Sequence, residues 1–137
     1  MRKETWAMSV RRILIADDEP DFQDTLRARV SQFEPGQDYA VSTASDGPAA
    51  LQAVMREHPD LVLLAHHLPG MTGLEVLERI QRIAPGIPVI MVTGTLKKGE
   101  AVAALKRGAF FYLPKSFAVQ YIGALVAIAL RHPQARS

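Results

Sequence analysis

Short apolar runs rich in β-branched residues alternate with longer stretches of helical periodicity five times along this chain. An apolar run of four to eight residues bounded by turn signals is typical of a strand. The pattern therefore predicts five strands, at residues 12–16, 39–44, 61–65, 88–93 and 109–113.

The stretches between the runs repeat apolar side chains every three or four residues, which is typical of amphipathic helices. Pro20 suits a first helical turn, and Gly108 suits the end of a fourth helix at 99–107. The periodicity predicts core positions at Phe22, Leu26, Val30 and Phe33 in the first helix, Ala50, Leu51 and Val54 in the second, and Leu74, Leu77 and Ile80 in the third.

Five successive βα units predict an α/β fold, a doubly wound parallel sheet with helices on both faces. At 137 residues, with no linker or repeat, we expect one domain over 1–137, its core at 12–131 and short tails at both ends. In such sheets the ligand site lies at the carboxyl ends of the strands. The polar residues at those ends are therefore the candidates for function.

The last predicted helix, 117–131, is apolar nearly all round. Its core side would carry Val119, Ile122, Leu125, Val126, Ala129 and Leu130, while the opposite side holds Tyr121, Ala124, Ala127 and Ile128. A helix with little polar surface is usually buried. Two interpretations stay open: a close-packed terminal helix, or a partner or homodimer contact through Tyr121, Ala124 and Ile128.

Composition narrows the function classes. The chain has no cysteine, which excludes disulfides and thiolate sites and fits the cytoplasm. The net charge of +2, without basic runs interleaved with aromatics, gives little support to direct nucleic-acid binding. Residues 1–8 hold no signal-peptide stretch, and the most apolar window, 119–130, is too short to span a membrane.

The strand ends bring together Asp17 and Asp18, Ala65, Thr93 and Lys115. Adjacent carboxylates can hold a hard divalent cation, and a hydroxyl and an ammonium can hold phosphoryl oxygens. Taken alone, the acids would be ordinary helix N-terminal residues, and the threonine and lysine ordinary strand and surface residues. Taken together they predict a pocket for phosphoryl chemistry that lacks its nucleophile.

These residues stand in the segments ILIADDEP, HPDLVLLAHHLPGMTGLEVL, PVIMVTG and GAFFYLPKSF. In this order and spacing, the chain resembles the bacterial two-component response-regulator receiver domain over 12–131. The resemblance implies a flavodoxin-like fold with strand order 2-1-3-4-5. It also implies a phosphorelay role, with a sensor histidine kinase or another signalling protein as partner.

The resemblance assigns the Mg²⁺-binding acidic pair to Asp17 and Asp18, with the backbone carbonyl of His67 as a further ligand. The phosphate-accepting aspartate of the family falls on Ala65, which has no acidity and no lone pair. Aspartyl-phosphate chemistry is therefore excluded at this position. Since a direct Mg²⁺ ligand is also lost, we expect weak metal binding, with Lys115 neutralising the remaining pair.

The resemblance also assigns switch residues. Thr93 matches the hydroxyl that moves to the phosphoryl group, Tyr112 the aromatic whose rotamer follows it, and Lys115 the lysine that pairs with the phosphorylated aspartate. Ser116 replaces the usual proline, whose preceding bond is commonly cis, so the Lys115–Ser116 bond is left open between cis and trans.

His66 and His67 precede the third helix. Adjacent residues on extended backbone point in opposite directions and do not converge on one ion. We therefore interpret them as loop histidines without a catalytic role, His67 bordering the pocket.

The sequence thus predicts a non-enzymatic receiver module that cannot be phosphorylated at the usual site and acts through protein–protein contacts. Alanine at 65 fits a natural pseudo-receiver and an engineered aspartate-to-alanine variant equally. One alternative is a small flavodoxin-like enzyme or nucleotide-binding domain, although no glycine-rich loop follows the first strand and no Gly-x-Ser-x-Gly elbow occurs. The other is a fragment of a larger DNA-binding response regulator.

Overall fold

Five strands and five helices alternate along the chain. The computed structural model describes residues 10–34 and 36–131, so the expectations for residues 1–8 and for the C-terminal tail lie outside the described residues. In chain order the elements are β1 (Arg11–Ala16), α1 (Pro20–Phe33), β2 (Tyr39–Ala44), α2 (Gly47–Glu57), β3 (Leu61–Ala65), α3 (Gly73–Ile83), β4 (Val89–Thr93), α4 (Lys98–Lys106), β5 (Phe111–Pro114) and α5 (Lys115–Arg131).

The strands form one parallel sheet in the order β2-β1-β3-β4-β5, which confirms the predicted fold class and strand order. The strand order reverses at β1, since β2 lies on one side of it and β3 on the other. Crevices at such reversal points are where doubly wound sheets bind ligands. The carboxyl ends of β1 and β3 are therefore adjacent at the expected site.

The sheet separates two apolar cores because alternate side chains of each strand point to opposite faces. Leu14 and Ala16 of β1 pack towards α2, α3 and α4, whereas Ile13 and Ile15 pack towards α1 and α5. Every residue of β3 and β4 is buried, as expected for central strands covered on both faces.

Helix starts and ends follow local signals that are readable in the sequence. Pro20 opens α1, and the Asp46 side chain accepts a hydrogen bond from the backbone N–H of Ala49 at the start of α2. Thr72 and Glu75 form a reciprocal capping box at α3. Gly108 follows α4 with a φ of +102°, which confirms the predicted glycine C-terminus.

Several predicted details were wrong. Strand β5 begins at Phe111 rather than 109, because the Ala109 N–H bonds the Ala104 carbonyl in the turn that ends α4. Phe33 is 49% exposed rather than buried, and its side chain lies over Gly123. Ala127, expected on the outer side of α5, is buried because α5 packs lengthwise on α1.

Helix α5 begins at Lys115, two residues earlier than predicted. The Lys115–Ser116 bond is trans, since no cis peptide occurs among the described residues. Within the same part of the chain, no helix combines the length and apolarity needed to cross a membrane.

Candidate functional site

The carboxyl edge of the sheet brings the predicted site residues together. Ala65 and Thr93 end β3 and β4, Asp17 directly follows β1, and Lys115 directly follows β5. Because all strands are parallel, these positions lie at one edge. Asp17, Ala65 and Thr93 are each at most 5% exposed, so the edge forms a largely buried floor.

Asp17 is held by hydrogen bonds on both its backbone and its side chain. Its N–H donates to the Ala44 carbonyl at 3.0 Å, and its Oδ1 accepts from the Glu19 N–H at 2.8 Å. Its own carbonyl accepts a hydrogen bond from the Gln23 amide, which is itself buried. These contacts fix the carboxylate in one orientation at the switch point of the sheet.

The Lys115 ammonium lies against this carboxylate. Its Nζ is 3.1 Å from Asp17 Oδ2 and 3.4 Å from Oδ1, and it also pairs with the Glu19 carboxylate. It sits 4.4 Å from the centre of the Phe22 ring, a cation–π contact. Burial alone would lower the pKa of Lys115, but the hydrogen bonds that it donates to Glu19 and Asp17, together with their charges, outweigh burial and raise the pKa.

The second acid, Asp18, takes no part in this pairing. We expected Lys115 to neutralise both Asp17 and Asp18. This was wrong for Asp18, which is exposed, because Lys115 pairs with Glu19 instead. Glu19 is 61% exposed and its longer side chain folds back over the ammonium.

The residues present do not fit a strong Mg²⁺ site. Both Asp17 oxygens face the Lys115 ammonium, and Ala65 at the end of β3 supplies no oxygen ligand from its side chain. Across 10–34 and 36–131, no group of three His, Cys, Asp or Glu residues lies close enough to hold a metal. His67 lies in the loop after β3 and is exposed.

Thr93 is 2% exposed, and its hydroxyl donates to the Thr95 carbonyl at 3.1 Å. The hydroxyl is thus engaged in its own loop. The Ala65 methyl group closes the floor beside it, with no atom able to accept a phosphoryl group.

A polar cluster that the sequence interpretation missed lies on the β4–β5 side of this edge. Tyr112 Oη is 3.2 Å from His66 Nδ1 and 3.3 Å from Glu100 Oε1. His66 Nε2 lies 3.5 Å from Glu100 Oε2, and the His66 ring is only 6% exposed. His66 lies in the loop after β3, as predicted, but the sequence interpretation did not foresee its burial in this cluster.

A signal for this burial exists in the sequence. His66 stands two residues after Leu64, so the alternation of the strand carries it onto the same face as that core residue. His67 falls on the other phase and is exposed. The two rings nevertheless meet edge to face, with centroids 4.8 Å apart, so the expectation that these side chains point in opposite directions was wrong.

Burial sets the protonation of this cluster. It lowers the pKa of His66, against an opposing effect of Glu100, with His67 and Lys97 adding to the decrease. The ring is therefore neutral at pH 7. Burial likewise raises the pKa of Tyr112, with the neighbouring Thr93 hydroxyl opposing and Glu100 reinforcing the increase.

Comparison with known proteins agrees with this architecture. Residues 13–127 match the family model described as the response regulator receiver domain. The response regulator MprA of Mycobacterium leprae is 36% identical over 120 residues, which are 88% of this chain and 51% of that protein. The probable transcriptional regulatory protein TcrX of Mycobacterium tuberculosis is 33% identical over 87% of this chain and 49% of its own length. The chain spans about half the length of these curated relatives.

Solved structures show the same fold. A CheY-like response regulator receiver domain protein from Methanospirillum hungatei superposes with a TM-score of 0.80 at 31% identity, covering 90% of this chain and 95% of the other. The receiver domain of NtrX from Brucella abortus gives a TM-score of 0.78 at 32% identity, covering 87% and 98%.

Proposed function

Since the chain belongs to the response regulator receiver domain family, we propose that it is a two-component receiver module that works without an aspartyl phosphate at residue 65. The observation that carries this proposal is Ala65 at the end of β3, on the buried floor between Asp17 and Thr93. A methyl group there offers no nucleophile, so phosphoryl transfer to this position is chemically excluded.

The charge arrangement supports the same proposal. Asp17 and Glu19 neutralise Lys115 within the fold, so the positive charge of the ammonium is balanced without a phosphoryl group. A divalent cation would have to displace the ammonium from Asp17, and we therefore propose that Mg²⁺, if it binds through Asp17, Asp18 and the His67 carbonyl, does so weakly.

Such a module acts through its surface and not as an enzyme. We propose a sensor histidine kinase or another signalling protein of the cytoplasm as its partner, and a homodimer contact on α5 through Tyr121, Ala124 and Ile128. Tyr121 and Ile128 are 45% and 43% exposed, which supports the contact.

A second candidate function is that of a receiver segment within a DNA-binding regulator. Two observations favour it: the match covers only about half the length of each relative, and one of them is named as a probable transcriptional regulatory protein. Nucleic-acid contact would then belong to the other half of such a protein.

Intact mass measured after incubation with Mg²⁺ and acetyl phosphate tests the proposal. We expect the chain as it stands to gain no labile phosphoryl group, because residue 65 has no carboxylate. Ala65→Asp restores that carboxylate between Asp17 and Thr93 and should gain one. Ala65→Asn is the matched control, since it adds the same volume without a nucleophile and should stay unmodified.

A labile phosphoryl group on the unmodified chain would overturn the proposal. If Ala65→Asp folds but remains unmodified, more than the residue at 65 disables the pocket, and the prediction that this carboxylate restores phosphoryl transfer is wrong.

A further inference from the structure

The cluster of His66, Glu100 and Tyr112, which we call the His66 cluster, has no part in the function proposed above. Its members come from three elements: His66 follows β3, Glu100 lies in the first turn of α4, and Tyr112 lies in β5. A cluster that joins three elements constrains their relative positions when each member contacts the other two.

The contacts close into such a ring. Tyr112 Oη lies 3.2 Å from His66 Nδ1 and 3.3 Å from Glu100 Oε1, and His66 Nε2 lies 3.5 Å from Glu100 Oε2. The rings of His66 and Tyr112 also meet edge to face, with centroids 5.8 Å apart at 88°. Losing any member therefore removes partners from both of the others.

The donors and acceptors match. A neutral imidazole offers one N–H and one lone pair. With the proton on Nε2, the His66 Nδ1 lone pair faces the Tyr112 hydroxyl at 3.2 Å, while Nε2 lies 3.5 Å from Glu100 Oε2, at the long limit of a hydrogen bond. That hydroxyl has one proton and two acceptors in reach, Nδ1 and Oε1.

Helix α4 depends on this cluster because its other tethers are sparse. Ala104 is its one buried residue, and no side chain caps its start at Lys97. At its far end the Arg107 guanidinium pairs with Glu78 of α3 at 2.7 Å. Glu100 is thus the side chain that anchors the first turn of α4 to the carboxyl edge of the sheet.

We propose that His66 is a positioning residue that holds the Tyr112 ring and the first turn of α4 in one arrangement without any phosphoryl group. The Thr93 hydroxyl donates to the Thr95 carbonyl in its own loop, and His66 supplies the fixed partner for the Tyr112 hydroxyl. This inference goes beyond the proposed function and does not depend on the chemistry of residue 65.

Fluorine NMR on protein that carries 3-fluorotyrosine tests this role. The chain has three tyrosines, so each resonance is assigned with a single Tyr→Phe variant. The first readout is the Tyr112 resonance, which reports its ring environment and which a general loss of stability would not shift in the folded state. The second is amide hydrogen exchange across α4, 98–106.

His66→Leu removes both contacts of the imidazole. We expect the Tyr112 resonance to move towards that of the exposed Tyr121 and to broaden. Exchange in the first turn of α4 should accelerate by about 2- to 13-fold, the factor that corresponds to the net free energy of one hydrogen bond.

Two further variants separate the contacts. His66→Asn keeps a polar atom near the Nδ1 position and should retain more of the wild-type Tyr112 shift than His66→Leu. Glu100→Gln weakens the charged contact and should accelerate exchange in the first turn of α4. Glu78→Gln is the matched control, because it frees the opposite end of α4 and should leave the Tyr112 resonance unchanged.

An unchanged Tyr112 resonance in His66→Leu would overturn the proposal. If His66→Leu does not fold, His66→Asn decides by exchange, because it lacks Nε2 and its contact with Glu100 Oε2: unchanged exchange in the first turn of α4 would likewise overturn the proposal.

Discussion

At the scale of single residues, the site is organised around the Lys115 ammonium. It is 23% exposed, it faces the nearly buried carboxylate of Asp17, and it covers the Phe22 ring. A buried carboxylate that loses its cation keeps its desolvation penalty without compensation. Lys115 therefore stabilises the fold chiefly by compensating Asp17.

Lys115→Met should lower the free energy of unfolding by about 1–3 kcal/mol at neutral pH, because it leaves Asp17 buried and unpaired. Denaturant unfolding measures this difference. Lys106→Met is the control, since Lys106 is exposed and makes no ion pair within the described part of the chain.

Measurements at alkaline pH separate the contribution of the Lys115 charge to stability from the contribution of its packing. Its folded pKa is raised above the ordinary 10.5, so the stabilisation is fully present below pH 10.5 and is lost as the pH rises through the folded value. The gap in stability between wild type and Lys115→Met should shrink in that range. Tyr39 and Tyr112 also titrate there but are present in both proteins, so they cancel. A constant gap would show that packing dominates.

At the scale of elements, the junction between β3 and α3 shapes the floor of the site. The Gly73 N–H donates to the His66 carbonyl at 2.7 Å and brings the start of α3 against the end of β3. A Cβ at Gly73 would lie 2.8 Å from His66 Cα and 2.9 Å from the His66 oxygen, and closer still to the Ala65 oxygen. These are backbone atoms, so the crowding could be relieved only by moving the main chain of β3 or α3.

Gly73→Ala should destabilise the protein by roughly 1–3 kcal/mol, the usual result of overpacking. Gly99→Ala in α4 is the matched control with the opposite sign. Nothing lies within 4 Å of its Cβ position, and alanine is the better helix former, so a gain of up to about 0.5–1 kcal/mol is expected. Thermal unfolding of both variants tests the pair. Equal effects would contradict the close approach at the β3–α3 junction.

At the scale of the whole molecule, α5 presents an apolar stripe on the side away from the sheet. Phe117 and Tyr121 lie with ring centroids 4.6 Å apart, and Ile128 continues the stripe two turns later. All three are 43–45% exposed. A second copy of the chain is the partner proposed for this stripe.

Sedimentation equilibrium over a range of concentrations tests the dimer. We expect the wild-type mass to approach twice the monomer mass at high concentration, and Tyr121→Glu to remain a monomer because it buries a charge in the contact. Met55→Glu is the control, since Met55 is exposed on α2 at the opposite face of the sheet. A strict monomer for both wild type and Tyr121→Glu would refute the dimer.

The sequence by itself determined the architecture and the presence of alanine, rather than a carboxylate, at residue 65. Short apolar runs and helical periodicity are local properties of the sequence, so five βα units and the edge that carries Asp17, Thr93 and Lys115 could be predicted from them. The identity of residue 65 needs no coordinates at all. Ends that depend on neighbouring elements, such as the start of β5 at Phe111, could not be predicted so closely.

Only the tertiary structure decided which side chains meet. Lys115 pairs with Glu19 rather than Asp18 because the direction and length of each acidic side chain decide which one meets the ammonium. The sequence does not show this, since adjacent acids look equivalent in it. The His66 cluster joins residues 66, 100 and 112, and such distant contacts arise only when the sheet aligns its strand ends. The pairing of side chains at the carboxyl edge thus depends on the tertiary structure, whereas the strands that create the edge follow from the local sequence.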